Sequence, residues 1–284
     1  MSIFQKIAGK VIAIGSGLAP NLFARIIVPG LLMPRRVPAQ STATLERIDI
    51  DDGLVAWQEN DSDPTRPLAL FVHGFNGNHA QWSAIAKVVR EAGYRLIFLD
   101  PPGHGASRRG QCDPIIFGNA VRTAFEYLGP VSLCVGHSMG AIAGVLGTRD
   151  VPGADAYMLM ACPVVMANTI KATAQKVGIG TVATDAILNE VGRRVGAHPS
   201  DLDLTQLIAT ESAPALMVHD RGDGQVPFGE AERLHASWPN AHLFATSGLG
   251  HNRILQDGEV LAEIVQFLSS LDWGDWGPLR RRLE

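Results

Sequence analysis

The chain has 284 residues, enough for one large α/β domain or two small ones with a substantial buried core. Hydrophobic residues make up 46%, charged residues 18% and the formal net charge is −4, so no global basic field exists to favour nucleic acid. The three cysteines, Cys112, Cys134 and Cys162, are odd in number and lack C-x-x-C spacing, which suggests small buried thiols in a reducing compartment and no zinc site.

At the start of the chain, Lys6 and Lys10 precede the apolar run Val11-Ile12-Ala13-Ile14, which resembles the charged and hydrophobic regions of a secretion signal. Gly15, Gly17, Pro20 and Arg25 interrupt it before it could span a bilayer. The expectation is therefore an amphipathic helical extension over residues 1–40, including the apolar stretch 26–33, that packs on the domain or on a membrane surface without stable membrane insertion. A cytoplasmic location goes with it. Arg280-Arg281-Arg282 reads as a solvated tail.

Residues 44–61 read as two strands joined at Asp51-Asp52-Gly53, an antiparallel hairpin. The run Leu68-Ala69-Leu70-Phe71-Val72 is continuously apolar, as a strand buried on both faces should be, and stops at His73-Gly74-Phe75. A helix is expected over 82–91, then a strand over 94–99 that ends at Asp100-Pro101-Pro102-Gly103-His104-Gly105, then a helix over 117–128. Further strands are expected over 131–135, 157–162, 214–218 and 241–245, with helices between and after them. This alternation predicts a mostly parallel sheet covered on both faces. Residues 163–210 break it with helix-like pieces over 169–176, 184–195 and 202–210, which read as a helical cap over the carboxyl ends of the strands. The expected division is core at 41–163 and 211–284, with the cap at 164–210.

The most informative stretch is 131–147, where an apolar run leads through Gly136-His137-Ser138-Met139-Gly140 into small residues. In a strand, turn and helix, this G-x-S-x-G places Ser138 at a strained apex, and Gly136 and Gly140 remove side chains that would clash. The helix that follows would aim its amino-terminal amides at a developing oxyanion. A serine nucleophile needs a base, and the base needs an acid. The loop after the strand 214–218 carries Asp220 and Asp223, and the loop after 241–245 carries His251, giving the order serine, aspartate, histidine. Asp220, nearer the strand end, competes with Asp223 for the acid position. His73 and His104 read as structural histidines, and His137 as structural or pocket-shaping. His79, His198, His219, His235 and His242 have no partner pattern, and H-E-x-x-H is absent.

Through these motifs the region 44–268 resembles the α/β-hydrolase fold family. The resemblance implies a mostly parallel central sheet of about eight strands with helices on both faces and a small cap. It also implies Ser138 as nucleophile, His251 as general base, Asp223 as orienting acid through its D-x-x-V-P pattern, and the amides of Phe75 and Met139 as oxyanion hole. No cofactor or metal is implied. The expected activity is hydrolysis of a small-molecule carboxylic ester or related acyl substrate through an acyl-enzyme, in the manner of a carboxylesterase. The same triad would serve a thioesterase, lactonase, C–C hydrolase, acyltransferase or perhydrolase. A small-molecule receptor built on this fold is the alternative outside catalysis.

Overall fold

The computed structural model describes residues 16–37, 44–60, 63–149, 151–208 and 211–271. The Lys6 and Lys10 segment and the triple-arginine tail lie outside them. Eight strands form one sheet in the order β1-β2-β4-β3-β5-β6-β7-β8. They are β1 (Leu45–Asp51), β2 (Leu54–Glu59), β3 (Leu68–Val72), β4 (Arg95–Asp100), β5 (Leu133–His137), β6 (Ala156–Met160), β7 (Ala215–Asp220) and β8 (Ala241–Thr246). β1 pairs antiparallel with β2, and β2 antiparallel with β4; every other pairing is parallel.

The continuous apolar runs are the strands buried on both faces: β3, β5, β6 and β7 are buried at every residue. Within β3 the two-residue side-chain period still sorts the faces. Leu68, Leu70 and Val72 pack with Phe117 and Val121 of α3 (Pro114–Leu128) and Ile142 of α4 (Met139–Gly147). Ala69 and Phe71 pack on the opposite face with Ile85 and Val89 of α2 (Ser83–Glu91). Helix α3 begins earlier than its apolar spacing suggests, because the Asp113 carboxylate accepts from the amides of Ile115 and Ile116 and Pro114 opens the first turn.

The register brings the strand ends into line. Val72 pairs with Gly136, His137 with Met160, Met160 with Val218, and Asp220 with Thr246. The loops that follow β3, β5, β6, β7 and β8 therefore leave the sheet along one edge, where open α/β sheets bind their ligands. Between β6 and β7 lie α5 (Met166–Lys176), α6 (Thr181–Val195) and the short α7 (Leu204–Leu207). An isolated antiparallel bridge, Val165 to Asp203, closes the base of this excursion. The amino-terminal segment forms α1 (Pro20–Leu31), whose Ala24 and Val28 are buried against Ala186 and Ile187 of α6. After β7 come α8 (Phe228–Ser237), then the short α9 (Gly250–Arg253) and α10 (Gly258–Ser270), the last packed on the α2 face.

Candidate active site

Ser138 stands between β5 and α4 with φ 53° and ψ −119°, a conformation that costs a non-glycine residue about 1–3 kcal/mol. Its amide is held by the carbonyl of Met160 at 2.9 Å. A Cβ at Gly140 would come within 2.0 Å of the Val72 carbonyl, and one at Gly136 within 2.5 Å of Ala141 Cα. The two glycines are thus required by the close approach of β3, β5 and α4, the same approach that presents the serine.

The loops after β7 and β8 meet. His251 Nδ1–H donates to Asp223 Oδ2 at 2.7 Å, which leaves Nε2 as the ring nitrogen outside that bond. Burial works against an ionised Asp223. The His251 bond and the amides of Gln225 and Val226 outweigh it and hold the carboxyl below its usual range. Asp220 is the last residue of β7 and makes other bonds, accepting from Thr246 Oγ1 at 2.8 Å, Leu249 N at 2.9 Å and Gly222 N at 2.8 Å. Against its complete burial these donors bring it to about 2. It ties the two loops together, and Asp223 meets the histidine.

Two further histidines support this pair. His137, buried, donates through Nε2 to the carbonyl of His251 at 3.0 Å, with ring centroids 4.8 Å apart; burial lowers it to about 3. His219 donates through Nε2 to the Val226 carbonyl, and that nitrogen is 3.6 Å from Asp223 Oδ2. Sequence reading gave His219 no partner and His137 no contact with His251, because these contacts join residues far apart in the chain or in an irregular turn.

Phe75 and Asn76 follow β3. The Asn76 amide donates to His104 Nε2 at 3.1 Å, while His104 Nδ1–H donates to the Pro102 carbonyl. Burial drives His104 down to about 4, so the neutral tautomer that can accept from Asn76 is maintained. The loop carrying His104 is anchored in turn by Asp100, which accepts from Trp57 Nε1 at 2.7 Å and from the Ala106 amide at 2.8 Å. The sequence Asp100-Pro101-Pro102-Gly103-His104-Gly105 therefore acts as a brace for the loop that bears Phe75.

Ser138, Met139 and Phe75 line a cavity of about 240 Å³ whose other surfaces are almost wholly apolar, among them Pro163, Met166 and Ile170 from the segment between β6 and β7. Leu31 and Leu32 also line it. The segment after α1 is bonded into the site: Arg35 N donates to Asn76 Oδ1 at 2.6 Å, Arg36 Nε to the Gly105 carbonyl at 2.6 Å, and Cys112 N to the Leu32 carbonyl at 2.8 Å. The amino-terminal extension is thus a side of the cavity, which its apolar stretch alone did not reveal. Glu230 of α8, also missed, is buried and accepts from Val164 N at 3.0 Å, Val165 N at 2.6 Å and Asn168 Nδ2 at 2.9 Å, fixing the entry to α5. Among the described residues no cluster of His, Cys, Asp or Glu is arranged to hold a metal ion. The three cysteines are buried free thiols; burial raises all of them, Cys134 to about 12.

Residues 67–145 match the family described as alpha/beta hydrolase fold, and residues 194–272 one described as TAP-like protein. The uncharacterized hydrolase YugF of Bacillus subtilis (strain 168) is 22% identical over 270 residues, covering 80% of this chain and 98% of its own. The Mus musculus sn-1-specific diacylglycerol lipase ABHD11 is 28% identical over 125 residues, which are 43% of this chain and 39% of its own. Among solved structures, the Pyrococcus furiosus esterase Pf2001 matches with a TM-score of 0.63 at 18% identity, over 83% of this chain and 95% of its own.

Proposed function

The chain belongs to the α/β-hydrolase fold family, and we propose that within it the protein is a serine hydrolase that cleaves carboxylic esters through an acyl-enzyme on Ser138. The observation that carries this reading is the His251–Asp223 pair, 2.7 Å apart, supplied to the edge of the sheet where Ser138 lines an apolar cavity. Ser138 Oγ attacks the ester carbonyl while His251 Nε2 takes its proton, and Asp223 steadies the imidazolium. The amides of Phe75 and Met139 receive the oxyanion. Collapse expels the alcohol, which leaves with the proton from His251; water, deprotonated by the same nitrogen, then releases the acid and restores the serine.

The apolar lining suits the acyl group, and the volume is below the roughly 300–1,000 Å³ of drug-sized sites. The names of two similar proteins, an esterase and a diacylglycerol lipase, support the ester bond as the one cleaved. Hydrolysis of p-nitrophenyl esters of increasing acyl length, beside Ser138→Ala, tests the reading. Turnover by the native protein should rise with chain length and then fall as the chain outgrows the cavity, and the variant should be inert. Equal rates for the two proteins would overturn it.

A further inference from the structure

Six of the ten large apolar side chains that stand out to solvent among the described residues fall within 18–37: Leu18, Leu22, Ile26, Leu31, Met33 and Val37. Leu22 and Ile26 of α1 are 59% and 67% exposed and stand four residues apart, and Leu18, 82% exposed, precedes the helix. Leu22 and Ile26 form a stripe turned away from the side of α1 that Ala24 and Val28 bury against α6. Scattered exposed leucines are ordinary, but a stripe along one segment is the mark of an interaction surface. Leu31, the last residue of α1, also stands in the exposed set and lines the cavity, so the carboxyl end of α1 lies at the mouth of the site.

The charge of the segment identifies what it meets. The first 45 residues carry Lys6, Lys10, Arg25, Arg35 and Arg36 and no Asp or Glu, in a chain whose net charge is −4. A second copy placed on this face would set like charges against each other. An anionic lipid surface offers apolar depth to the stripe and headgroup charge to the arginines. No helix among the described residues is long and apolar enough to cross a membrane. We propose that the outer face of α1 and the segment after it dock on an anionic phospholipid surface, with α1 in the headgroup layer and the cavity mouth beside the lipid. This surface stands apart from the residues assigned to ester cleavage, and its test does not depend on turnover.

The experiment is co-sedimentation of the full chain with vesicles of phosphatidylcholine alone and of phosphatidylcholine with phosphatidylglycerol, beside a Leu22→Gln/Ile26→Gln variant. The native chain should partition onto the phosphatidylglycerol vesicles, less onto phosphatidylcholine, and less as salt rises. The double variant should lose roughly tenfold or more of that partition while melting at the same temperature and hydrolysing a soluble short-chain ester at the native rate. The docking face is wrong if the native chain stays in solution, if both vesicle types bind equally, or if the variant binds as well as the native chain. It is also wrong if light scattering shows a native dimer that the variant dissolves, which assigns the stripe to a second copy. Native binding without ester turnover would leave the docking face standing and remove the proposed chemistry.

Discussion

Asp220 and Asp223 are separated by one turn of loop and divide two tasks between them. Asp220 organises the backbone and side-chain donors of three residues, and Asp223 accepts the hydrogen bond from His251 Nδ1–H. Asp223→Asn should therefore lower kcat by about 10³–10⁴ with little change in stability, because an amide no longer stabilises the imidazolium. Asp220→Asn should instead reduce stability by about 2 kcal/mol, since an amide cannot satisfy those donors in a buried site; kcat and urea midpoints separate the two. Nearness to the strand end misleads here. Asp220 is locked in the register of β7 opposite Thr246, whereas Asp223 is free to turn toward β8. The buried histidines predict a pH dependence. Burial depresses His73 and His104 to about 4 and His137 to about 3, from about 6.5 in an unfolded chain. The unfolded state then binds more protons below pH 6.5, so stability should fall as pH drops from about 6.5 through 4, with the His137 part continuing to about 3. Urea midpoints measured across that range check the slope, and a flat profile would show these histidines charged in the native protein.

At the scale of elements, the strands were the most legible feature. An apolar run such as that of β3 has one interpretation when both faces are covered, and the glycines flanking Ser138 announced a backbone approach that the structure places at 2.0 Å and 2.5 Å for the missing Cβ atoms. The helices over 163–210 were legible as helices, but their seat was not. It depends on Glu230, a single carboxylate in α8 that reads like any surface acid and is in fact buried against the amides of Val164 and Val165. Glu230→Ala leaves both amides without that acceptor and should cost about 2–3 kcal/mol, while raising amide exchange in α5 before that of the sheet. Hydrogen-exchange mass spectrometry reads both regions in one experiment.

Across the whole molecule, the cavity is assembled from three distant parts of the chain: the loops at the carboxyl ends of the strands, the helices between β6 and β7 and the amino-terminal segment. The sheet could be inferred from patterning because each strand satisfies its own two-residue period. Leu31 and Leu32 could not be placed, since the bonds that seat them, Leu32 O to Cys112 and Arg35 to Asn76, join parts of the chain that no local pattern connects. Val28 is fully buried between α1 and α6, so Val28→Asp, which inserts an unpaired charge, should loosen α1, raise KM for soluble esters and leave the sheet folded by far-ultraviolet circular dichroism. An unchanged KM would separate α1 from the substrate site.

The central claim is that Ser138 is the nucleophile, activated by the His251–Asp223 pair. The most direct measurement is labelling with a fluorophosphonate followed by peptide mass mapping. One adduct is expected, on Ser138, absent from Ser138→Ala and formed far more slowly in Asp223→Asn. No adduct, or one that persists in Ser138→Ala, would contradict it.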